Sequence, residues 1–170
     1  AAAGGTLYVA DAFTLRAVDL ADGAVRDISR SLAESRFPTS IAASAGRIAT
    51  ASHEGGEVQL RDVVTGKTIA RWSALAQPSA LALIDDDRLA VTETGAGGRL
   101  LVLDRRDVAA RQVPAEGLQQ PMGLLRIAQG YILSESAAGR ITLVGDGGER
   151  RVIASGLARP EGIARLDDGR

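Results

Sequence analysis

Short apolar runs alternate with turn-forming residues along most of the chain, at a spacing too tight for helices of ordinary length. The pattern is clearest between residues 79 and 114. Ser79 to Ile84 is a candidate strand, Asp85-Asp86-Asp87 a turn, and Arg88 to Thr94 a second strand. Gly97-Gly98 then opens a third strand at Leu100 to Leu103, and Asp104 to Asp107 leads to a weaker fourth around Arg111 to Pro114. The preceding stretch follows the same plan, with strands near Ser40 to Ala43, Arg47 to Ala51, Glu57 to Arg61 and Thr68 to Trp72. So does the following one, with Gly123 to Ile127, Tyr131 to Ser134, Arg140 to Val144 and Arg151 to Ala154. Four antiparallel strands per unit predict the blade of an all-β propeller.

A recurring phrase sets the period. Gly/Ala-Leu-x-x-Pro occurs as Ala74-Leu75-Ala76-Gln77-Pro78, Gly117-Leu118-Gln119-Gln120-Pro121 and Gly156-Leu157-Ala158-Arg159-Pro160, with a looser relative ending at Phe37-Pro38. Prolines 38, 78, 121 and 160 are 40, 43 and 39 residues apart, a period typical of repeat architectures. The expected fold is a single β-propeller domain of about four four-stranded blades. Its units are residues 160–170 joined with 1–37, then 38–77, 78–120 and 121–159. The N-terminal run Thr6 to Asp11 aligns with a second strand and Gly162 to Leu166 with a first strand, so the two ends are expected to share one blade. Pairing them would cover two open strand edges. The alternative is a fragment of a six-bladed propeller.

Composition narrows the function classes. The 170 residues fit one domain, and the formal net charge of -1, with no basic stripe, argues against nucleic acid as a partner. No apolar run is long enough to span a membrane. The Ala-Ala-Ala-Gly-Gly start has no signal-peptide character, its missing initiator Met suggests a processed or trimmed chain, and the compartment is left open. The absence of cysteine excludes disulfides, thiolate metal sites and cysteine nucleophiles.

Pro160-Glu161-Gly162-Ile163-Ala164, Asp168-Gly169 and Leu7-Tyr8-Val9-Ala10-Asp11 together resemble the NHL-repeat phrase. In that phrase proline-x-glycine-isoleucine-alanine precedes an aspartate-x-x-glycine turn and a tyrosine-valine-alanine-aspartate strand. The resemblance implies an NHL-type propeller related to the senescence-marker/gluconolactonase-like group. Enzymes of that group hold a divalent metal with glutamate, asparagine and aspartate at the starts of inner strands. This chain has no asparagine and one carboxylate, Glu161, in that ring.

In a propeller the innermost strand begins, and the second strand ends, on one face. Candidate ligand-face residues are therefore the post-proline set Thr39, Ser79, Met122 and Glu161 and the second-strand ends Asp11, Ser52, Glu93 and Glu135, with His53 and Glu54 just beyond. Asp11, Glu93, Glu135 and Glu161 are candidates for an acidic mouth, and Glu161, Glu93 and Glu135 are the weak candidates for a divalent cation. No catalytic residue is assigned and no cofactor is expected, the cation aside. His53 is the only histidine and reads as a loop residue. Gly66-Lys67-Thr68 lacks the earlier glycine of a phosphate loop, since position 61 is Arg61, and reads as a hairpin turn. Trp72 is expected in the core and Asp85-Asp86-Asp87 in a solvated turn.

The leading expectation is a non-catalytic binding or scaffold module that meets a protein or small molecule at the face carrying the repeat prolines. The alternatives are a metal-dependent lactonase-like hydrolase or lyase, and a structural piece that self-associates through unpaired edges.

Overall fold

Sixteen strands alternate with tight turns in the computed structural model, which describes residues 1–11, 14–29 and 38–165. They form four antiparallel four-stranded sheets, each wound in chain order. The first holds β1 (Ala2–Ala3), β2 (Thr6–Asp11), β3 (Thr14–Asp19) and β4 (Val25–Ser29). The second holds β5 (Ser40–Ala43), β6 (Arg47–Ser52), β7 (Glu57–Asp62) and β8 (Thr68–Trp72). The third holds β9 (Pro78–Leu83), β10 (Arg88–Glu93), β11 (Arg99–Asp104) and β12 (Asp107–Glu116), and the fourth β13 (Pro121–Ile127), β14 (Gly130–Glu135), β15 (Arg140–Gly145) and β16 (Arg150–Ser155). A single 3-10 turn, Ser136–Ala138, is the only helical element among the described residues.

Alternation along each strand gives every sheet two faces, and the core lies between successive sheets. Tyr8, Leu15 and Ala17 of the first sheet meet Ile48 of the second. Ala49, Ala51, Val58 and Leu60 of the second meet Leu81, Leu89, Val91, Leu101 and Leu103 of the third. Ala80, Ala82, Ala90, Leu100 and Val102 of the third then meet Leu124, Tyr131, Leu133 and Val144 of the fourth. Trp72, on an outer strand, is 1% exposed within the middle cluster, where the sequence placed it.

The recurring phrase is a backbone clasp. Its first residue adopts the left-handed conformation in each copy, with φ of 57° at Ala74, 70° at Gly117 and 76° at Gly156. The leucine N–H then donates to a glycine carbonyl in the hairpin between second and third strands: Leu75 to Gly56, Leu118 to Gly98 and Leu157 to Gly139, at 2.9, 3.0 and 2.9 Å. The approach is so close that a Cβ on Gly98 would sit 1.9 Å from the Leu118 carbonyl oxygen. The residue before each proline, Gln77, Gln120 or Arg159, is also left-handed and turns the chain into the next inner strand. The phrase recurs because the chain makes the same turn at each of its three described copies.

Two sequence expectations need correction. The fourth strand around Arg111 to Pro114 extends over Asp107–Glu116, because its exposed, charged outer edge carries little hydrophobic pattern. The shared blade does not form among the described residues. Ala2 pairs with Leu7 and Ala3 with Thr6, so β1 supplies the inner strand of the first sheet. Pro160 to Arg165 has no strand partner among the described residues and lies beside β13, close to Gly123, with the Ser134 hydroxyl of β14 donating to the Glu161 carbonyl at 2.6 Å. Leu166 and the Asp168-Gly169 part of the family phrase fall outside the described residues.

The clasp makes opposite predictions at two positions. Gly98→Ala combines a left-handed φ with a backbone clash and should lower stability by about 2 kcal/mol or more. Ala74→Gly relieves a left-handed alanine and should raise it by up to about 1 kcal/mol. Denaturant melts of the two variants beside the parent check both signs.

Candidate functional site

Bringing the inner strands side by side places their first residues around one cleft of about 480 Å3. It is lined by Thr39, Ser79, Met122 and Glu161, one from each post-proline position, and by Ser40, His53, Ala80 and Gly162. All four residues of the post-proline ring therefore converge. The second-strand ends divide differently.

Glu93 and Glu135 are fully buried and do not line this cleft. Arg99 donates to Glu93 through Nε at 2.8 Å and Nη2 at 2.5 Å, and the Ala76 N–H donates to the other carboxylate oxygen at 2.7 Å. Glu135 repeats the arrangement with Arg140 at 2.7 and 2.8 Å and the Gln119 N–H at 2.8 Å, and adds the Thr142 hydroxyl at 2.5 Å. Burial alone would raise the Glu135 carboxyl, but the bonds from Arg140, Thr142 and Gln119 outweigh it and hold it below its ordinary value of 4.5. These two acids tie the connecting loop to the end of the second strand rather than face a ligand. Asp11 is exposed and ion-paired with Arg16 at 3.3 Å. Glu54 is exposed, and Ser52 is buried with its Oγ accepting from the Gly55 N–H at 3.2 Å. The expected acidic mouth thus reduces, at the cleft itself, to Glu161.

A second hydroxyl device sits one residue earlier. Thr92 and Ser134, both fully buried, accept from the N–H of Ala80 and Gly123 at 3.0 and 2.8 Å, filling the bulges that follow Pro78 and Pro121. Ser79 Oγ bonds Thr92 Oγ1 at 2.8 Å and donates to the Pro121 carbonyl at 2.7 Å, linking the third sheet to the fourth. The sequence carried a signal for both devices: a hydroxyl residue immediately before Glu93 and Glu135, and an arginine opposite each glutamate across the next hairpin.

His53 is more than a solvated loop residue. Its Nε2 lies 3.1 Å from Thr94 Oγ1 of the neighbouring sheet, and its N–H donates to Thr39 Oγ1 at 3.3 Å. The Thr94 hydroxyl also lies 3.2 Å from the Gln77 carbonyl, which leaves its oxygen able to accept from an imidazole Nε2–H. Thr94 was not anticipated from sequence, because its role exists only once two sheets are adjacent.

Glu161 brings the cleft its single carboxylate and His53 its single imidazole. Among the described residues no three histidine, aspartate or glutamate side chains gather closely enough to hold a metal ion. None of the helical residues described is part of a segment long and apolar enough to cross a membrane.

Neither a family model nor a curated protein matches this chain. Solved structures do, at the level of fold. The chain aligns over 98% of its length with the β-propeller domain of Myceliophteria thermophila Cps50 (Swd1), covering 57% of that chain at 19% identity and a TM-score of 0.72. It aligns over 96% with a chain of the nidogen/laminin complex, covering 65% at 17% identity and a TM-score of 0.78. Virginiamycin B lyase from Staphylococcus aureus aligns with 89% of the chain, 52% of its own length being covered, at 17% identity and a TM-score of 0.69. The chain thus spans about half to two thirds of these three structures, and its fold is that of a β-propeller.

The buried Glu135 cluster predicts a pH dependence. A carboxyl held below its ordinary value stabilises the fold fully above that value and loses the contribution as pH falls through the lowered one. Glu135→Gln should cost about 2–3 kcal/mol at neutral pH and flatten the loss of stability below pH about 4.5. Denaturation midpoints from neutral to acid pH, for parent and variant, test both effects.

Proposed function

We propose that this chain is an NHL-type β-propeller that acts as a binding module, its ligand seated in the cleft formed by the post-proline residues. One observation carries the reading. Four successive repeats deliver one residue each to a single concave site, and those residues are a threonine, a serine, a methionine and a glutamate. Such a lining offers apolar contact with a few hydroxyls and one negative charge, which suits recognition of a small molecule or a protruding side chain. It supplies too few hard oxygen donors for the divalent site of the gluconolactonase-like enzymes. The propellers of similar fold include a chain from the nidogen/laminin complex, consistent with a protein partner at such a face.

A second reading is a lyase, favoured by His53 and Glu161 lining the same cleft and by the likeness of fold to virginiamycin B lyase. In that reading the His53 imidazole and the Glu161 carboxylate are the proton-handling groups.

Screening a chemically diverse fragment library by amide chemical-shift perturbation tests the first reading. Hits should cluster on Thr39, His53, Ser79 and Met122 and vanish in Met122→Lys, with the melting temperature unchanged. Hits scattered over the outer strands would contradict it. Metal analysis of the purified protein bears on the metal-dependent alternative, since a stoichiometric divalent ion would argue against a recognition site with a single carboxylate.

A further inference from the structure

A second cavity, of about 290 Å3, opens between the facing sides of the third and fourth sheets and shares no residue with the post-proline cleft. It lies at the opposite end of the strands. Arg88 opens β10, Arg126 is next to last in β13, Tyr131 is second in β14 and Asp146 follows β15. Strand register brings these groups together. Arg126 pairs with Tyr131 across β13 and β14, so both side chains project from the same face of the sheet, and the guanidinium carbon sits 4.7 Å from the ring centroid. On the facing sheet Val102 pairs with Gln112, and with Ile84 and Pro114 it forms an apolar wall that has Gln112 at its exposed rim.

Tyr131 forms the floor. The residue is 3% exposed, yet its hydroxyl has no hydrogen-bond partner among the described residues. A phenol placed so deeply ordinarily finds one. Burial raises its ionisation above the ordinary value of 10.0 while Arg126 and Arg88 pull the other way, so at neutral pH the hydroxyl keeps its proton and is a donor. The arginines also keep donors in reserve. Arg126 commits both Nη1 hydrogens, to the Gly130 carbonyl at 3.0 Å and Asp146 at 2.5 Å, and one Nη2 hydrogen to Asp146 at 3.2 Å. Its Nε–H and the second Nη2 hydrogen remain. Arg88 is held through Nε and Nη2 by Asp85, which does not line the cavity, and its Nη1 hydrogens remain.

The lining therefore carries two guanidiniums against one carboxylate, an unpartnered phenol donor and an apolar wall. An excess of one positive charge suits a monoanion, and the wall suits an organic body rather than a bare inorganic ion. We propose that this cavity binds a small organic monocarboxylate, its oxygens accepting from the Tyr131 hydroxyl, Arg126 and Arg88 and its apolar part resting on Ile84, Val102 and Pro114. Asp85 and Asp146 pre-orient the two guanidiniums, which lowers the ordering cost of binding.

Titrations with benzoate and butyrate, read by amide chemical shifts, test this, with butylamine and inorganic phosphate as controls. Both acids should give saturable shifts centred on Arg88, Val102, Arg126 and Tyr131, whereas butylamine, of the same chain length and opposite charge, gives none there and phosphate binds more weakly. Tyr131→Phe keeps the ring beneath Arg126 and removes only the hydroxyl, and should weaken both acids about fivefold; Arg126→Gln should weaken them about tenfold. Absence of a saturable shift at these residues overturns the proposal, as does binding of butylamine or phosphate there at least as tight as that of the acids. So does either variant binding the acids as tightly as the parent. Met122→Lys leaves acid binding in place, so carboxylate fragments form a cluster separate from the cleft and the two sites fail or succeed independently.

Discussion

The crossovers from β8 to β9 and from β12 to β13 must each reverse the chain in a few residues, and a buried carboxylate anchors each reversal. Glu93 and Glu135 stand at the ends of their second strands, fully buried, each accepting an N–H from the crossover loop and a two-pronged donation from an arginine on the next strand. A buried carboxylate without these donors would be costly, so the three partners form together or not at all. The leucine clasp adds a second tie, loop N–H to hairpin carbonyl, and the two ties fix where each repeat proline enters its strand. The position of the residue after that proline, and hence the shape of the cleft, follows from them.

This arrangement separates the residues that build the face from those that present it. Acids at second-strand ends are consumed by structure, while the post-proline positions are free to vary and carry whatever chemistry the cleft has. The second sheet shows the limit of the device. Ser52 replaces the glutamate and Glu57 the arginine, so that pair is absent there, and Glu57 instead pairs with Arg71 at 3.5 Å. It is next to this exception that His53 reaches across to Thr94 and becomes part of the cleft.

Much of the fold was legible because two periodicities coincide, alternation within strands and the proline spacing between sheets. Ser40–Ala43 and Thr68–Trp72 match the sequence reading end for end, since turn residues bound them sharply. β12 was cut short because its outward residues are charged and alternate weakly. The post-proline ring was readable from topology alone. Glu93 and Glu135 were named as face candidates from topology, as ends of second strands, and the structure bonds them to loop amides and arginines instead: nothing in Glu93 by itself announces Arg99, although the opposed charges across the β10–β11 hairpin do. His53 was undervalued for the opposite reason, as its partner is 41 residues away on another sheet. Of the two chain ends expected to pair, Thr6–Asp11 is the second strand of its sheet, while residues 160–165 form no strand and the inner edge of β2 goes to Ala2–Ala3.

Amide hydrogen exchange at Ala76 and Gln119 tests most directly whether buried carboxylates position the crossovers. Both amides lie in loops between strands, where exchange is ordinarily fast. If Glu93 and Glu135 hold them, the two amides exchange as slowly as those of the central strands β10 and β14. Exchange at the rate of the Asp85 to Asp87 turn would contradict the account.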